Sequence, residues 1–189
     1  MATPDSWDAA AAVALRPLVA WSGSVWRAHR PRYDALDPGG ARRFSGRYNC
    51  GETDGPGFQT LSAEVSERWS ALYLALDAAS CLVEVLRHTT KETFEQLNHR
   101  LSEIEVEAVR VLDCTDPVVV GLTRDHLCYP RDYRYTHRLA LAAIQRGAEA
   151  ILVPAVTGMC NNLIYFPEYR DDRSTLTIAR HIEPPFRLA

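Results

Sequence analysis

Arginine, glycine, an aromatic ring and an amide are concentrated in one stretch of the chain, Gly39-Gly40-Ala41-Arg42-Arg43-Phe44-Ser45-Gly46-Arg47-Tyr48-Asn49. Glycine lets a backbone turn sharply and lets a ligand come close. Arginine holds oxyanions well, because its planar fork donates in pairs and keeps its charge. Tyr48 and Asn49 add a ring for stacking and an amide for hydrogen bonding. The chemistry fits a phosphate-bearing ligand. The alternative is an exposed basic loop with turn glycines. A Walker loop is excluded, since no Gly-Lys-Ser/Thr follows, and so is a Gly-x-Gly-x-x-Gly dinucleotide fingerprint.

Glu84 stands in an otherwise apolar run, Cys81-Leu82-Val83-Glu84-Val85-Leu86. Such a carboxylate is either functional or a helix residue that reaches solvent. Tyr73 lies near the end of a short apolar segment and reads as core packing or as a stacking ring. Arg27 alternates with apolar residues and faces either solvent or a ligand. Asn161 and Asn162 precede an apolar run, where they make a turn or donate to a ligand. Neither His88 nor His137 has a partner at metal-ligand spacing, and no Gly-x-Ser-x-Gly nucleophile motif occurs.

These residues need elements to hold them. The pattern predicts a helix over 5–15, capped by Asp5 or Ser6 and stopped by Pro17. A strand over 24–29 carries Arg27. Residues 30–60, rich in Gly, Pro, Asp and Arg, read as one long irregular loop. A short helix over 62–69, a strand over 71–74 and a helix from an Asp77 cap to Arg87 follow. A helix over 92–101, a strand over 104–112 and a short helix over 117–122 come next. The clearest helix spans 133–146 and ends at Gly147. Strands over 150–154, 163–166 and 174–181 complete the chain. Helices and strands mix without a regular period or repeat, which predicts one mixed domain and not a doubly wound parallel sheet.

The chain has 189 residues, 47% of them hydrophobic, with net charge −3. That is enough for one sizeable core, and the mild acidity argues against nucleic-acid binding through a basic face. Lys91 is the only lysine, so nearly every cation is a potential bidentate oxyanion binder. The five cysteines form no zinc pattern, and an odd count in a chain of this size argues against a disulfide framework. Cys81 and Cys160 read as small core residues. A reduced, cytoplasmic setting fits. The Ala9–Leu15 run follows Asp5 and Asp8 where a signal peptide needs positive charge, and no apolar stretch is long enough to span a membrane.

In order, Val25-Trp26-Arg27, the block from Gly40 to Asn49, Leu72-Tyr73-Leu74-Ala75, Leu82-Val83-Glu84-Val85, Arg138-Leu139-Ala140, Gly147, Ala150-Ile151-Leu152-Val153-Pro154 and Asn162-Leu163-Ile164-Tyr165-Phe166 resemble the RES domain. That domain is the toxin of RES–Xre toxin–antitoxin modules. The resemblance covers about residues 22–182. It implies an α/β (α+β) fold, a single mixed domain with a split β-sheet resembling the ADP-ribosyltransferases, over 21–189. Residues 1–20 are then an N-terminal helical extension, and about 50–69 an insertion suited to a lid or a partner-binding element. The family's arginine and glutamate fall on Arg47 and Glu84. Its serine falls on Ala155, a departure from the pattern, with Thr157 as the nearest hydroxyl able to compensate.

The resemblance further implies a toxin that consumes NAD+ by cleaving the nicotinamide–ribose bond, through an oxocarbenium-like ribose and with no metal. Glu84 would hold the ribose hydroxyls and stabilise developing positive charge. Tyr73 would stack on nicotinamide, Arg47 and Arg27 would clamp the diphosphate, and Tyr48, Asn49, Thr157 and Asn162 would complete the site. The acceptor stays open among water, phosphate and a protein side chain; the last would make a mono-ADP-ribosyltransferase. A catalytically silent interaction module is the other reading, favoured only by Ala155. The implied partner is an Xre-type antitoxin whose C-terminal tail plugs the cleft.

Overall fold

The sheet is built on its longest strand, β3 (Arg100–Asp113). The computed structural model describes residues 3–87, 89–184 and 186. One edge of β3 pairs antiparallel with β1 (Leu18–His29), from Leu18↔Leu112 to His29↔Arg100. Its other edge takes β6 (Thr175–Ile182) antiparallel, then β4 (Ala150–Pro154) parallel from Val111↔Ala150. β4 pairs with β5 (Asn161–Tyr165), which pairs with β2 (Leu72–Ala75). β2 returns to β1 at Trp26↔Ala75. The order β1-β2-β5-β4-β3-β6, with β1 also on β3, makes a mixed sheet that curls into a ring with β6 on its flank.

Alternation decides what fills the ring. Along β3, Ile104, Val106 and Ala108 are buried while Glu105 and Glu107 are exposed. They meet Val25, Leu72, Leu74, Leu152, Leu163 and Tyr165 in one cluster. The opposite faces of β4 and β5, through Ile151, Val153 and Ile164, pack against Leu139, Ala140 and Ala143 of α6 (Arg134–Gln145). Both strands are therefore buried on both faces, which accounts for their unbroken apolar runs. Glu149 is buried where β4 begins and accepts from Val109 N, Arg110 N, Ser174 Oγ, Tyr165 Oη and Asp171 N. Burial opposes its charge, but these donors win and hold its pKa below the usual value.

Several elements depart from the sequence pattern. Helix α1 is Ala9–Ala14, capped by Asp8 and not by Asp5 or Ser6; Asp5 instead pairs with Arg138. Trp7 and Val13 are buried in the α6 cluster, and Trp7 Nε1 donates to Val120 O. β1 begins at Leu18, ahead of Ser24, because β3 runs far enough to pair with it. The long loop contains a helical turn, α2 (Gly39–Arg43). Only a turn forms where the 62–69 helix was expected, and the Ser62 hydroxyl, the expected cap, donates to Asp54. The segment is closed at its base by Cys50↔Trp69 and tied to the neighbourhood of α6 by Gln59↔Asp132.

The helix α3 (Ala78–Leu86) has the expected Asp77 cap. The next, α4 (Lys91–Gln96), is shorter than expected: Asn98 turns left-handed at φ 49°, and Leu101 already belongs to the sheet. α5 (Arg124–Cys128), with its Thr123–His126 capping box, was not expected. Cys81 is buried and Cys160 half-buried, both free thiols. His88 lies outside the described residues. No helix among the described residues is long and apolar enough to cross a membrane.

Candidate active site

A cleft of about 490 Å³ opens over the outer face of β2 and β5. Its floor is Tyr73 and Ala75 of β2 beside Ile164 and Asn162 of β5, cross-strand neighbours in that order. α3 forms one wall with Cys81, Glu84 and Val85, and the 40–49 segment forms another. Strand alternation puts Leu72 and Leu74 inside the ring, and so turns Tyr73 outward to the cleft.

Glu84 is half-buried, and Asn162 Nδ2 donates to both of its oxygens at 3.0 Å. Asn162 is 7% exposed, and its Oδ1 is buried without a hydrogen-bond partner among the described residues. An orphaned acceptor carries a desolvation cost that a ligand donor would relieve. The site therefore offers an oriented carboxylate with a vacant acceptor beside it.

The glycine-arginine segment is held by Tyr73. Its hydroxyl accepts from Tyr48 N at 2.8 Å and donates to Asn49 Oδ1 at 2.9 Å. Asn49 Nδ2 then donates to Ala41 O and Phe44 O. Burial pushes the Tyr73 phenol well up, so it remains a neutral donor. Gly46 is required here: a Cβ would lie 2.5 Å from Asn49 Oδ1 and 2.8 Å from the Tyr73 hydroxyl. Buried His137 supports the segment from beneath, accepting from Leu61 N at 3.3 Å on Nδ1 and meeting Gly46 O at 2.7 Å on Nε2.

Arg47 donates from Nη1 to Leu127 O at 3.0 Å and Tyr129 O at 2.7 Å, and its guanidinium lies over the Tyr133 ring at 5.0 Å. Arg27 donates to Ala35 O at 2.5 Å and Asp37 O at 3.0 Å. Burial pulls the Arg27 pKa down while Asp37 pulls it up; it stays charged. Both arginines line the cleft, and each is pinned by backbone carbonyls; neither forms a direct ion pair among the described residues, though Asp37 and Asp34 lie near enough to Arg27 to favour its charge.

Of the expected site residues, the cleft gathers Arg27, Arg47, Tyr48, Asn49, Tyr73, Glu84 and Asn162. Tyr48 contributes mostly backbone: its N–H holds Tyr73, its carbonyl accepts from Trp69 Nε1, and its ring packs into the α6 cluster. Thr157 does not join them. It sits in the turn after β4 with its hydroxyl toward Met159 N, outside the cleft lining. Ala155 is fully buried, its carbonyl held by Arg124 at 2.7 Å, and it does not line the cleft either. Tyr133, Phe44 and Arg87 line the cleft and were not singled out from sequence. Arg87 was detectable as a cation three residues after Glu84. No group of His, Cys, Asp or Glu among the described residues is arranged to hold a metal.

The model of the RES domain matches residues 24–187, most of the chain and all of the cleft. The chain belongs to the RES domain family. A RES relative, the NAD(+) phosphorylase MbcT of Mycobacterium tuberculosis strain H37Rv, is 34% identical over 152 residues, 76% of this chain and 73% of that protein. MbcT of Mycobacterium bovis matches to the same extent. The crystal structure of the M. tuberculosis MbcT–MbcA toxin–antitoxin complex contains a chain that superposes with TM-score 0.74. That match has 28% identity and covers 93% of this chain and 91% of that one. The mixed α/β fold expected from the RES resemblance is thus the one observed, but its strands form one closed six-stranded sheet where a split sheet was expected.

Proposed function

We propose that this RES protein is an NAD+-consuming toxin that cleaves the nicotinamide–ribose bond and passes the ADP-ribosyl group to inorganic phosphate. The observation that carries this reading is the Glu84–Asn162 pair, placed in a cleft with Arg27 and Arg47. The likeness to MbcT supports phosphate as acceptor over water or a protein side chain.

The residues divide the work. Arg27 and Arg47 bind the diphosphate with the donors that their carbonyl contacts leave over. Tyr73 presents its ring to nicotinamide. Glu84, oriented by Asn162, takes the ribose hydroxyls and stabilises the cation that forms as the glycosidic bond lengthens. Nicotinamide departs neutral, so no metal or acid is needed to expel it. Ala155 is fully buried and does not itself line the cleft, and the likeness to the NAD(+) phosphorylase MbcT supports turnover over a silent interaction module.

The partner is an Xre-type antitoxin that occludes the cleft with a carboxylate-bearing C-terminal tail, attracted by the unpaired cleft arginines. The likeness to a chain solved in a toxin–antitoxin complex supports this. Expression of the chain alone should arrest growth and deplete cellular NAD+, and the Glu84→Gln variant should do neither. Arrest with NAD+ undiminished would overturn the proposal and favour transfer to a protein target.

A further inference from the structure

The acceptor needs its own binding place, since attack on the ribose requires an anion beside the carbon that nicotinamide leaves. Three cations line the cleft, Arg27, Arg47 and Arg87, and Glu84 is the only acid among the lining residues. A dinucleotide diphosphate carries two negative charges, so Arg27 and Arg47 match it. Arg87 is surplus to that ligand. Its side chain has no hydrogen bond or ion pair among the described residues, and it is exposed at the cleft wall.

Its position relative to Glu84 is set by the helix. Arg87 caps α3 while keeping helical dihedrals, φ −69° and ψ −21°. Residues three apart on a helix share a face, with Cβ atoms about 5–6 Å apart. Cys81 and Glu84 line the cleft at the same spacing, so this face of α3 is the cleft wall. A long cationic side chain thus stands one turn beyond the carboxylate that holds the ribose.

We infer that Arg87 is the binding residue for the acceptor phosphate; the inference rests on the proposed phosphorolysis and names the group that selects its acceptor. In the step, an oxygen of hydrogen phosphate forms a bond to C1 of the nicotinamide ribose. The C1–N bond breaks, and its electron pair leaves with neutral nicotinamide. The charge of NAD+ and of hydrogen phosphate is conserved in the sugar phosphate product, so no proton must move and no general base is required. Water as acceptor would release a proton. An arginine that concentrates phosphate at this wall therefore favours phosphorolysis over hydrolysis.

The test is steady-state kinetics of the full chain with Arg87→Gln and Arg87→Lys, together with thermal melts in inorganic phosphate without NAD+. Arg87→Gln should raise the KM for phosphate by about tenfold or more, the scale of lost charge-assisted hydrogen bonds. The KM for NAD+ should stay within about twofold, and free ADP-ribose should grow as a share of product. Arg87→Lys should recover part of the phosphate affinity. Phosphate should raise the melting temperature of the wild-type protein more than that of Arg87→Gln, in which Arg27 and Arg47 still offer oxyanion donors. Wild-type turnover that needs phosphate, with Arg87→Gln unaltered or impaired only for NAD+, would overturn this inference alone. Wild-type turnover indifferent to phosphate would overturn the phosphorolysis reading itself.

Discussion

Asn162 holds both oxygens of Glu84 on a single amide nitrogen, 3.0 Å from each, across 78 residues of sequence. The contact exists because β2 leads into α3 while β5 pairs with β2, with Ala75 opposite Asn162. Glu84→Gln should cut NAD+ turnover by about 100-fold or more, the scale of one lost transition-state contact. Asn162→Asp removes the donor and sets a second carboxylate against the first, and should cut turnover by about tenfold or more with the fold retained. An unchanged rate would mean that Asn162 does not act through Glu84.

Tyr73 and Gly46 are the second linked pair. Tyr73→Phe removes a hydroxyl that serves Tyr48 N and Asn49 Oδ1, and should cost about 1–3 kcal/mol of stability by leaving them unpaired. Gly46→Ala should displace the Asn49 and Tyr73 side chains and depress turnover even where the protein stays folded. Denaturant melts beside NAD+ kinetics check both. A fully active Gly46→Ala would contradict the close packing.

Arg47→Ala should raise the KM for NAD+ by about tenfold, since a charge-assisted contact to diphosphate is lost, with the fold retained. Circular dichroism and kinetics on the same preparation separate the outcomes. Unfolding would mean that its contacts to Leu127 and Tyr129 are structural and that the ligand role is misassigned.

Burial lowers the His137 pKa below its ordinary value, with Gly46 O, Asp54 and Asp132 opposing. The unfolded chain therefore binds a proton from about pH 6.5 downward while the folded chain resists it. Stability should fall as pH drops below about 6.5, down to the depressed folded value. His29 and His99 are depressed in the same way and add to the slope. The depressed carboxylates Asp54, Asp132 and Glu149 act only at lower pH. His137→Gln should flatten, without abolishing, the loss of melting temperature between pH 7 and pH 5. An unchanged slope would remove His137 from the linkage.

The residue types of the site were legible in the sequence; their contacts were less so. Arg47, Tyr73 and Glu84 stand out because each is chemically odd where it sits. What pins Arg47 is a pair of carbonyls on Leu127 and Tyr129, and backbone acceptors leave no mark on side-chain pattern. Tyr133 reads as the start of a helix, which it is, and its place under Arg47 follows only from tertiary packing. Ala155 and Thr157 stand in and beside the turn after β4, and neither lines the cleft: Ala155 is fully buried, and the Thr157 hydroxyl turns to Met159 N. β1 was cut short because Val19 and Ala20 are exposed, and only the pairing of Leu18, Val19 and Trp21 with β3 reveals the strand.

Purified, antitoxin-free protein incubated with NAD+ in the presence and absence of inorganic phosphate, with products resolved by mass, tests the central claim most directly. The account predicts phosphate-dependent loss of NAD+, release of nicotinamide and a phosphorylated ADP-ribose. NAD+ left intact by folded protein, or converted to free ADP-ribose at the same rate without phosphate, would contradict it.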